Sequence, residues 1–272
     1  MSKIAVLLPK EYMLEQARKV IQEKNADIDI LKVIKTSDSV YEARKAMEQG
    51  AGIIVARGVQ AAYIREYTNI PVAEIILTGQ EIALMVVAAK KLIPEKKHPQ
   101  IALIGFESMF SDTSYFDELF GITLKTYFMK SMEQAAEKVE LAIAEGADVL
   151  LGGDTVNSLA SQRNFPSCFI NSTEESIRSA LAMAEHMALS AETEKTYAAQ
   201  FETVLDNANN GIFEIDEKRK ITIINRTVEE LLKKSAEKVN GEALESFFPE
   251  LDIKYVNDVL EGRRDMFTTS TR

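Results

Sequence analysis

Short apolar runs alternate with segments of helical spacing from residue 3 to about residue 190, and this alternation limits the possible folds more than any other feature. Parallel strands need a long crossover, usually a helix, and continuous apolar strands are typical of sheets covered on both faces. The pattern therefore predicts an α/β fold with parallel sheets. The predicted strands are 4–8, 28–34, 53–56, 72–76, 101–105, 123–128, 149–151 and 167–170, with helices such as 11–23, 40–49 and 132–144 between them.

An internal repeat divides this region into two similar parts. Three short sequences recur in the same order about 95–97 residues later. The matching pairs are Ile4-Ala-Val-Leu-Leu-Pro9 with Ile101-Ala-Leu-Ile-Gly-Phe106, Gly50-Ala-Gly-Ile-Ile-Val55 with Gly146-Ala-Asp-Val-Leu-Leu151, and Asn69-Ile-Pro-Val72 with Asn164-Phe-Pro-Ser167.

The repeat predicts a receptor domain over 1–190 with two Rossmann-like lobes, about 1–92 and 100–172, joined near 94–99. Ligands of open α/β sheets bind beyond the carboxyl ends of the strands. Two such lobes are therefore expected to enclose a central cleft and to close on a ligand. The alternative is one continuous sheet without a cleft.

A long helix is predicted over 173–205, because no glycine or proline occurs from 174 to 206 and Ser172-Thr-Glu-Glu175 fits a capping box. Apolar residues at alternating spacings of four and three predict that its first half packs on a lobe. Its second half is either a free connector between domains or a dimeric coiled coil.

Composition excludes several classes of protein. The net charge is −10 without a cationic cluster, so direct binding of nucleic acid is not expected. One cysteine excludes an internal disulfide and a cysteine-rich zinc site, and the two histidines lie far apart in sequence. Neither a signal peptide nor a membrane-spanning stretch is visible. We expect a cytoplasmic protein with no metal and no cofactor.

The candidate ligand site lies at two turns that the repeat makes equivalent. Arg57, Gly58 and Val59 follow a predicted strand and open a helix, where backbone N–H groups and a guanidinium favour a carboxylate or phosphate. The second turn contains Gly152, Gly153, Asp154 and Thr155, and flanking turns add Ser37, Thr78 and Ser108.

Each of these residues also has a structural interpretation. The glycines fit tight turns, Arg57 fits a surface ion pair, and the hydroxyl residues fit helix caps.

Residues 197–272 resemble the front part of a PAS sensor domain. The matching residues are Asn210-Gly-Ile-Phe-Glu-Ile-Asp216, Ile221-Thr-Ile-Ile-Asn225, Val228-Glu-Glu-Leu-Leu232 and Val239-Asn-Gly241. The resemblance implies an α+β domain that is incomplete here, because PAS domains continue for about three more strands. This segment has no histidine or cysteine, which argues against a histidine-ligated haem and a flavin–thiol photosensor.

Residues 1–190 resemble the N-terminal receptor domain of the propionate-catabolism activators, which are sigma-54-dependent transcription regulators. The residues that carry the resemblance are Gly52-Ile-Ile-Val-Ala-Arg57-Gly58, Ile70-Pro-Val-Ala-Glu-Ile75, Gly79-Gln-Glu-Ile82, Ile101-Ala-Leu-Ile-Gly-Phe106, Gly146-Ala-Asp-Val-Leu-Leu-Gly-Gly153 and Thr173-Glu-Glu-Ser-Ile-Arg178. Where that family usually has Ser-Arg-Gly-Gly-Thr, this chain has Ala56-Arg57-Gly58-Val59-Gln60. The change removes two hydroxyl groups and a glycine, so a citrate-like tricarboxylate is not to be assumed as the ligand.

The resemblance implies the signal-sensing region of a transcription regulator rather than an enzyme. A small anionic metabolite would close the lobes and act through the helix and the PAS domain. DNA and sigma-54 polymerase would be bound, by a homodimer, through an ATPase and a DNA-binding domain outside this chain. The alternatives are a ligand-independent dimerisation module and an α/β enzyme.

Overall fold

The computed structural model describes residues 3–263. The chain divides into two compact units, Met1–Glu192 and Thr193–Arg272. The first unit contains two four-stranded parallel sheets and the second a small antiparallel sheet, so the predicted fold class is confirmed. The strands are β1 Lys3–Leu8, β2 Ile30–Val33, β3 Ala51–Ala56, β4 Val72–Glu74, β5 Gln100–Gly105, β6 Thr123–Phe128, β7 Val149–Gly152, β8 Ser167–Phe169, β9 Phe213–Ile215 and β10 Ile221–Ile224.

The helices of the first unit alternate with these strands. They are α1 Glu11–Lys24, α2 Ser39–Glu48, α3 Gly58–Tyr67, α4 Gly79–Leu92, α5 Phe116–Phe120, α6 Ala135–Ala144, α7 Asp154–Gln162 and α8 Glu174–Asp206, with 3-10 turns at Thr36–Asp38, Glu107–Met109 and Met132–Gln134. The strand orders are β2-β1-β3-β4 and β6-β5-β7-β8. The two sheets thus share one order, which is the structural counterpart of the sequence repeat.

The first sheet is covered on both faces, because its strand residues alternate between two cores. Ile4 and Val6 pack against α1 and the first half of α8, whereas Ala5 and Leu7 pack against α2 and α3. The part of α8 that carries this packing includes Ile177, Ala180, Leu181, Ala184 and Ala188.

The second sheet is covered by α4 and α5 on one face and by α6 and α7 on the other. Helix α4 therefore packs on the second sheet, although the predicted lobe 1–92 included it in the first. The chain crosses between the lobes after β4 and returns after β8, before α8. The predicted junction at 94–99 leads from α4 into β5 inside the second lobe. Sequence spacing identifies a helix but does not reveal which sheet it covers.

The second unit begins with the last part of α8 and continues with the β9–β10 hairpin, α9 Arg226–Leu232, α10 Ala236–Val239, a 3-10 turn at Leu244–Ser246 and α11 Ile253–Leu260. Asn225 organises this unit, because its Oδ1 accepts from Ile212 N at 2.9 Å while its Nδ2 donates to Leu205 O at 2.8 Å. Phe213 and Phe248 stack in the core at 4.8 Å between ring centroids.

Candidate functional site

A cavity of about 260 Å³ lies between the two lobes, at the carboxyl ends of the strands. Both lobes line it, which is the arrangement that the repeat predicted for a cleft. The first lobe contributes Pro9, Lys10, Thr36 and residues 57–60, and the second contributes residues 104–106 and 153–156, the side chains of Met109, Met129 and Met132, and the end of β8.

Arg57 is the buried charge of this cavity. It ends the extended segment before α3, it is 7% exposed, and its Nη2 donates to Ile170 O at 3.0 Å. Its Nε has no hydrogen-bond partner in the part of the chain that the structure describes. Burial lowers the pKa of the guanidinium, while Tyr12, Glu81 and Asp154 raise it.

The guanidinium of Arg57 differs from the other cation of the cavity in its pairing. Within residues 3–263 no carboxylate forms an ion pair with it. An arginine stays protonated even when buried, and an unpaired buried charge is unfavourable. An anion bound in the cavity would therefore pair with the buried charge of Arg57 and lower its free energy.

Three helices begin at the cavity wall. The N-cap residues of α1, α3 and α7 are Lys10, Arg57 and Gly153, and none of the three accepts a side-chain capping hydrogen bond. All three N-caps line the cavity. The first N–H groups of a helix lack internal partners and carry partial positive charge, so these three helix starts add to the positive potential of Arg57.

The equivalent turn of the second lobe is built differently. Gly153, Asp154 and Thr155 line the cavity, whereas Gly152 is buried at the end of β7. The two backbone carbonyls at 152 and 153 accept from Asn157 Nδ2, at 2.7 and 3.0 Å. Sequence reasoning did not identify Asn157, because an asparagine in the first turn of a helix is common.

An exposed ion pair joins the lobes at the cavity. Lys10 Nζ of the first lobe lies 2.6 Å from Asp154 Oδ2 of the second. The same lysine lies over the Phe169 ring, 5.9 Å from its centroid. Lys10 is thus already paired with a carboxylate, and it was not among the predicted site residues.

Four predicted site residues lie outside the cavity lining: Gly152, Thr78, Ser37 and Ser108. Ser37 Oγ donates to Asp38 Oδ1 at 2.9 Å, and Ser108 Oγ donates to Glu74 Oε1 at 3.1 Å. Thr36, the neighbour of Ser37, is the residue of that turn that lines the cavity. A choice between adjacent hydroxyl residues depends on the backbone direction of the turn, which the sequence does not reveal.

Thr78, another of the predicted site residues, lies in the first crossover, the segment from β4 to α4 that leads from the first lobe to the second. The second crossover is the segment from β8 to α8. Its Oγ1 accepts from Glu81 N at 3.2 Å, and the Glu81 carboxylate accepts from Thr78 N at 2.7 Å, which completes a capping box on α4. The other oxygen of Glu81 accepts from Thr173 N of the second crossover. The cap of α8 is Thr173, whose Oγ1 accepts from Glu175 N at 3.2 Å, rather than the predicted Ser172. Glu81 therefore ties the two crossovers together.

The second lobe covers the cavity with apolar side chains. They are Ile104, Phe106, Met109, Met129, Met132 and Phe169. From sequence alone such residues cannot be told apart from core residues, and several of them belong to the core of the second lobe as well.

Within residues 3–263 no group of three or more histidine, cysteine, aspartate or glutamate side chains could hold a metal ion. None of the helices described is long and apolar enough to cross a membrane.

Models of two known protein families match the chain. A model of the propionate catabolism activator family matches residues 22–194, and a model of the PAS fold matches residues 199–271. The first match covers more than half of the chain, so the chain belongs to the propionate catabolism activator family. Both predicted resemblances are confirmed. No curated protein sequence matched the chain.

Several solved structures are similar to this chain. An NtrC family transcriptional regulator from Clostridium acetobutylicum is 25% identical with a TM-score of 0.55, and the match covers 68% of this chain and 95% of that one. A LacI-family repressor from Corynebacterium glutamicum is 16% identical with a TM-score of 0.34, over 68% and 89% of the two chains. The glucose-galactose binding protein GanP from Geobacillus stearothermophilus is 13% identical with a TM-score of 0.35, over 70% and 92%.

Proposed function

We propose that this member of the propionate catabolism activator family senses a small anionic metabolite that binds between the two lobes. The observation that carries the proposal is the buried Arg57 at the wall of an interlobe cavity, whose Nε has no hydrogen-bond partner and whose guanidinium has no ion pair among the described residues. Three helix starts at the same wall supply further donors for an anion.

Binding would reach α8 through the second crossover. Arg57 Nη2 donates to Ile170 O, and Ile170 lies three residues before Thr173, whose side chain caps α8. An anion that draws the guanidinium toward the cavity would alter this contact. A difference of about 1–3 kcal/mol in ligand affinity between two lobe arrangements shifts their equilibrium about 5- to 150-fold. The response would then pass along α8 to the PAS unit.

Family membership and the likeness to an NtrC family regulator support a role in transcriptional regulation. Contacts with DNA and sigma-54 polymerase would be made by domains outside this chain. Sensing is favoured over catalysis because, among the described residues that line the cavity, there is neither histidine nor cysteine.

The test is ligand binding by the full chain and by two arginine variants. A panel of small carboxylates and phosphorylated metabolites is screened by thermal shift, since a ligand at 100 times its Kd stabilises by about 2.7 kcal/mol. Arg57→Ala should weaken a hit about 10- to 150-fold, because a hydrogen bond to a charged group contributes about 1.5–3 kcal/mol. Arg18→Ala, which removes an exposed arginine of the same lobe, should leave affinity unchanged.

Circular dichroism must show that Arg57→Ala is folded, and Arg57→Gln serves if it is not. Equal affinity in the wild type and both Arg57 variants would contradict the proposal. Slower amide hydrogen exchange over residues 170–181 upon binding is the result expected for the relay.

Self-association is a second candidate function, favoured by one feature of the second unit. Tyr197, Phe201 and Val204 follow a spacing of four and three on α8 and are 67%, 57% and 69% exposed. This spacing places them on one face, which suits a parallel helix pair in a homodimer. Sedimentation equilibrium of Phe201→Glu against the wild type tests it, and a concentration-dependent dimer in both would count against this face.

A further inference from the structure

We propose that the ligand is a small monocarboxylate with an apolar body, rather than a phosphate or a polycarboxylate. The inference rests on the proposed function, since it names the ligand class of the same cavity. Three observations lead to it: the pairing of the cations at the cavity wall, the polarity of the side chains from each lobe, and the volume of the cavity.

Two cations line the cavity, and they differ in their pairing. Among residues 3–263 no carboxylate forms an ion pair with Arg57, whereas Lys10 Nζ lies 2.6 Å from Asp154 Oδ2. One carboxylate matches one guanidinium, which can donate two parallel hydrogen bonds to it. A tricarboxylate or a phosphate dianion would bring further negative charge beside Asp154 without a cation to balance it.

The two lobes differ in the side chains that they place at the wall. The buried polar side chains come from the first lobe: they are Arg57 and Gln60, and Gln60 is 1% exposed with an Oε1 that has no hydrogen-bond partner among residues 3–263. The second lobe adds Asp154 and Thr155 at the start of α7, and its remaining side chains at the wall are apolar, among them Phe106, Met129 and Met132. A ligand that spans the cavity therefore needs an anionic end and an apolar end. Methionine walls adapt to branched or aromatic groups.

The volume sets an upper size. About 260 Å³ lies just below the range of roughly 300–1,000 Å³ that is usual for small-molecule pockets. A nucleotide or a dinucleotide exceeds this space, whereas a short branched carboxylate fits within it.

Four probes separate these features by isothermal titration with the full chain. They are 4-methylpentanoate, its uncharged analogue 4-methylpentanamide, tricarballylate and inorganic phosphate. We expect 4-methylpentanoate to bind at least about 10-fold more tightly than each of the other three, the factor that corresponds to 1.4 kcal/mol.

Two matched variants test the apolar wall. Met132→Gln keeps the side-chain length and should weaken 4-methylpentanoate about 10-fold, because the apolar body loses its partner. Met183→Gln, at a half-exposed position on α8, should have no effect.

The outcomes separate this inference from the proposed function. If tricarballylate or phosphate binds more tightly and depends on Arg57, the ligand class is wrong while anion sensing stands. If the amide binds as tightly as the carboxylate, the charge argument is overturned. If no anion of the screening panel or of these probes binds, the proposed function fails, and this inference fails with it.

Discussion

The turns after β3 and after β7 occupy equivalent places in two sheets of the same strand order, yet they present different chemistry to the cavity. The first turn carries Arg57, a buried cation with which no carboxylate of the described residues forms an ion pair, and the second carries Asp154, an exposed anion paired with Lys10. The repeated fold thus preserves the position of each turn, and the side chains decide what the turn can bind. Substitutions in the two turns should therefore have different consequences.

The largest effect on stability is expected at Gly152. A Cβ at this position would lie 2.3 Å from Cβ and Cγ1 of Val156, so Gly152→Ala forces α7 away from its strand. Overpacking of this kind lowers the free energy of unfolding by about 1–3 kcal/mol. Gly153→Ala is the matched control, because nothing lies within 4 Å of its Cβ and its φ is −74°. Urea denaturation compares the two, and equal midpoints would contradict the steric argument.

The next effect is expected at Gly58, for a different reason. Its φ is +51°, which disfavours a side chain by about 1–2 kcal/mol, and a Cβ would lie 2.9 Å from Met109 Sδ. Gly58→Ala should lower the free energy of unfolding by about that amount. The double variant with Met109→Ala separates the two causes, since it removes the contact and leaves the backbone strain. Full recovery in the double variant would show that the backbone contributes nothing.

A smaller effect is expected at the ion pair between the lobes. The side chains of Lys10 and Asp154 are 38% and 66% exposed, so Asp154→Asn should change the free energy of unfolding by less than about 1 kcal/mol. The change should shrink at high salt. The freed charge of Lys10 should in turn raise affinity for an anionic ligand, measured by titration at low ionic strength. Weaker anion binding would mean that Asp154 contributes directly to the ligand.

The smallest effect on stability is expected at Tyr127 in β6, whose equivalent position in β2 is Lys32. Lys32 pairs with Leu7 in the first sheet, whereas Tyr127 pairs with Ile104 in the second. Burial, together with a hydrogen bond of 2.9 Å to Glu145, raises the pKa of Tyr127 to about 12.

The pKa of Tyr127 is higher in the folded chain than in the unfolded chain. The neutral Tyr127 hydroxyl therefore contributes fully to the free energy of unfolding below about pH 10, and this contribution is lost toward pH 12. Tyr127→Phe should therefore be less stable at neutral pH and should lose less stability between pH 10 and 12, as measured by denaturation at each pH. Parallel curves for the two proteins would show that Tyr127 is not the responsible group.

The strands were predictable because apolar runs carry the signal. The run at 101–105 became β5 within one residue, and the glycine- and proline-free stretch became α8. The partner of α4 was not predictable, since Ile82 and Val86 would suit an apolar face of either sheet. The site was partly predictable. Arg57 and Gly153 each lie at a turn between a predicted strand and a helix, which the sequence pattern identifies, whereas Met129 and Met132 reach the cavity only through the tertiary fold.

The exchange of helices between the lobes has a consequence for biosynthesis. The face of the first sheet that contains Ile4 and Val6 is covered by Ile177 and Leu181, which the ribosome adds more than a hundred residues after β4. The second sheet has its covering helix α4 before its own first strand is made. The lobe encoded second is therefore able to finish folding first, and the nascent first lobe carries an open apolar face until α8 emerges.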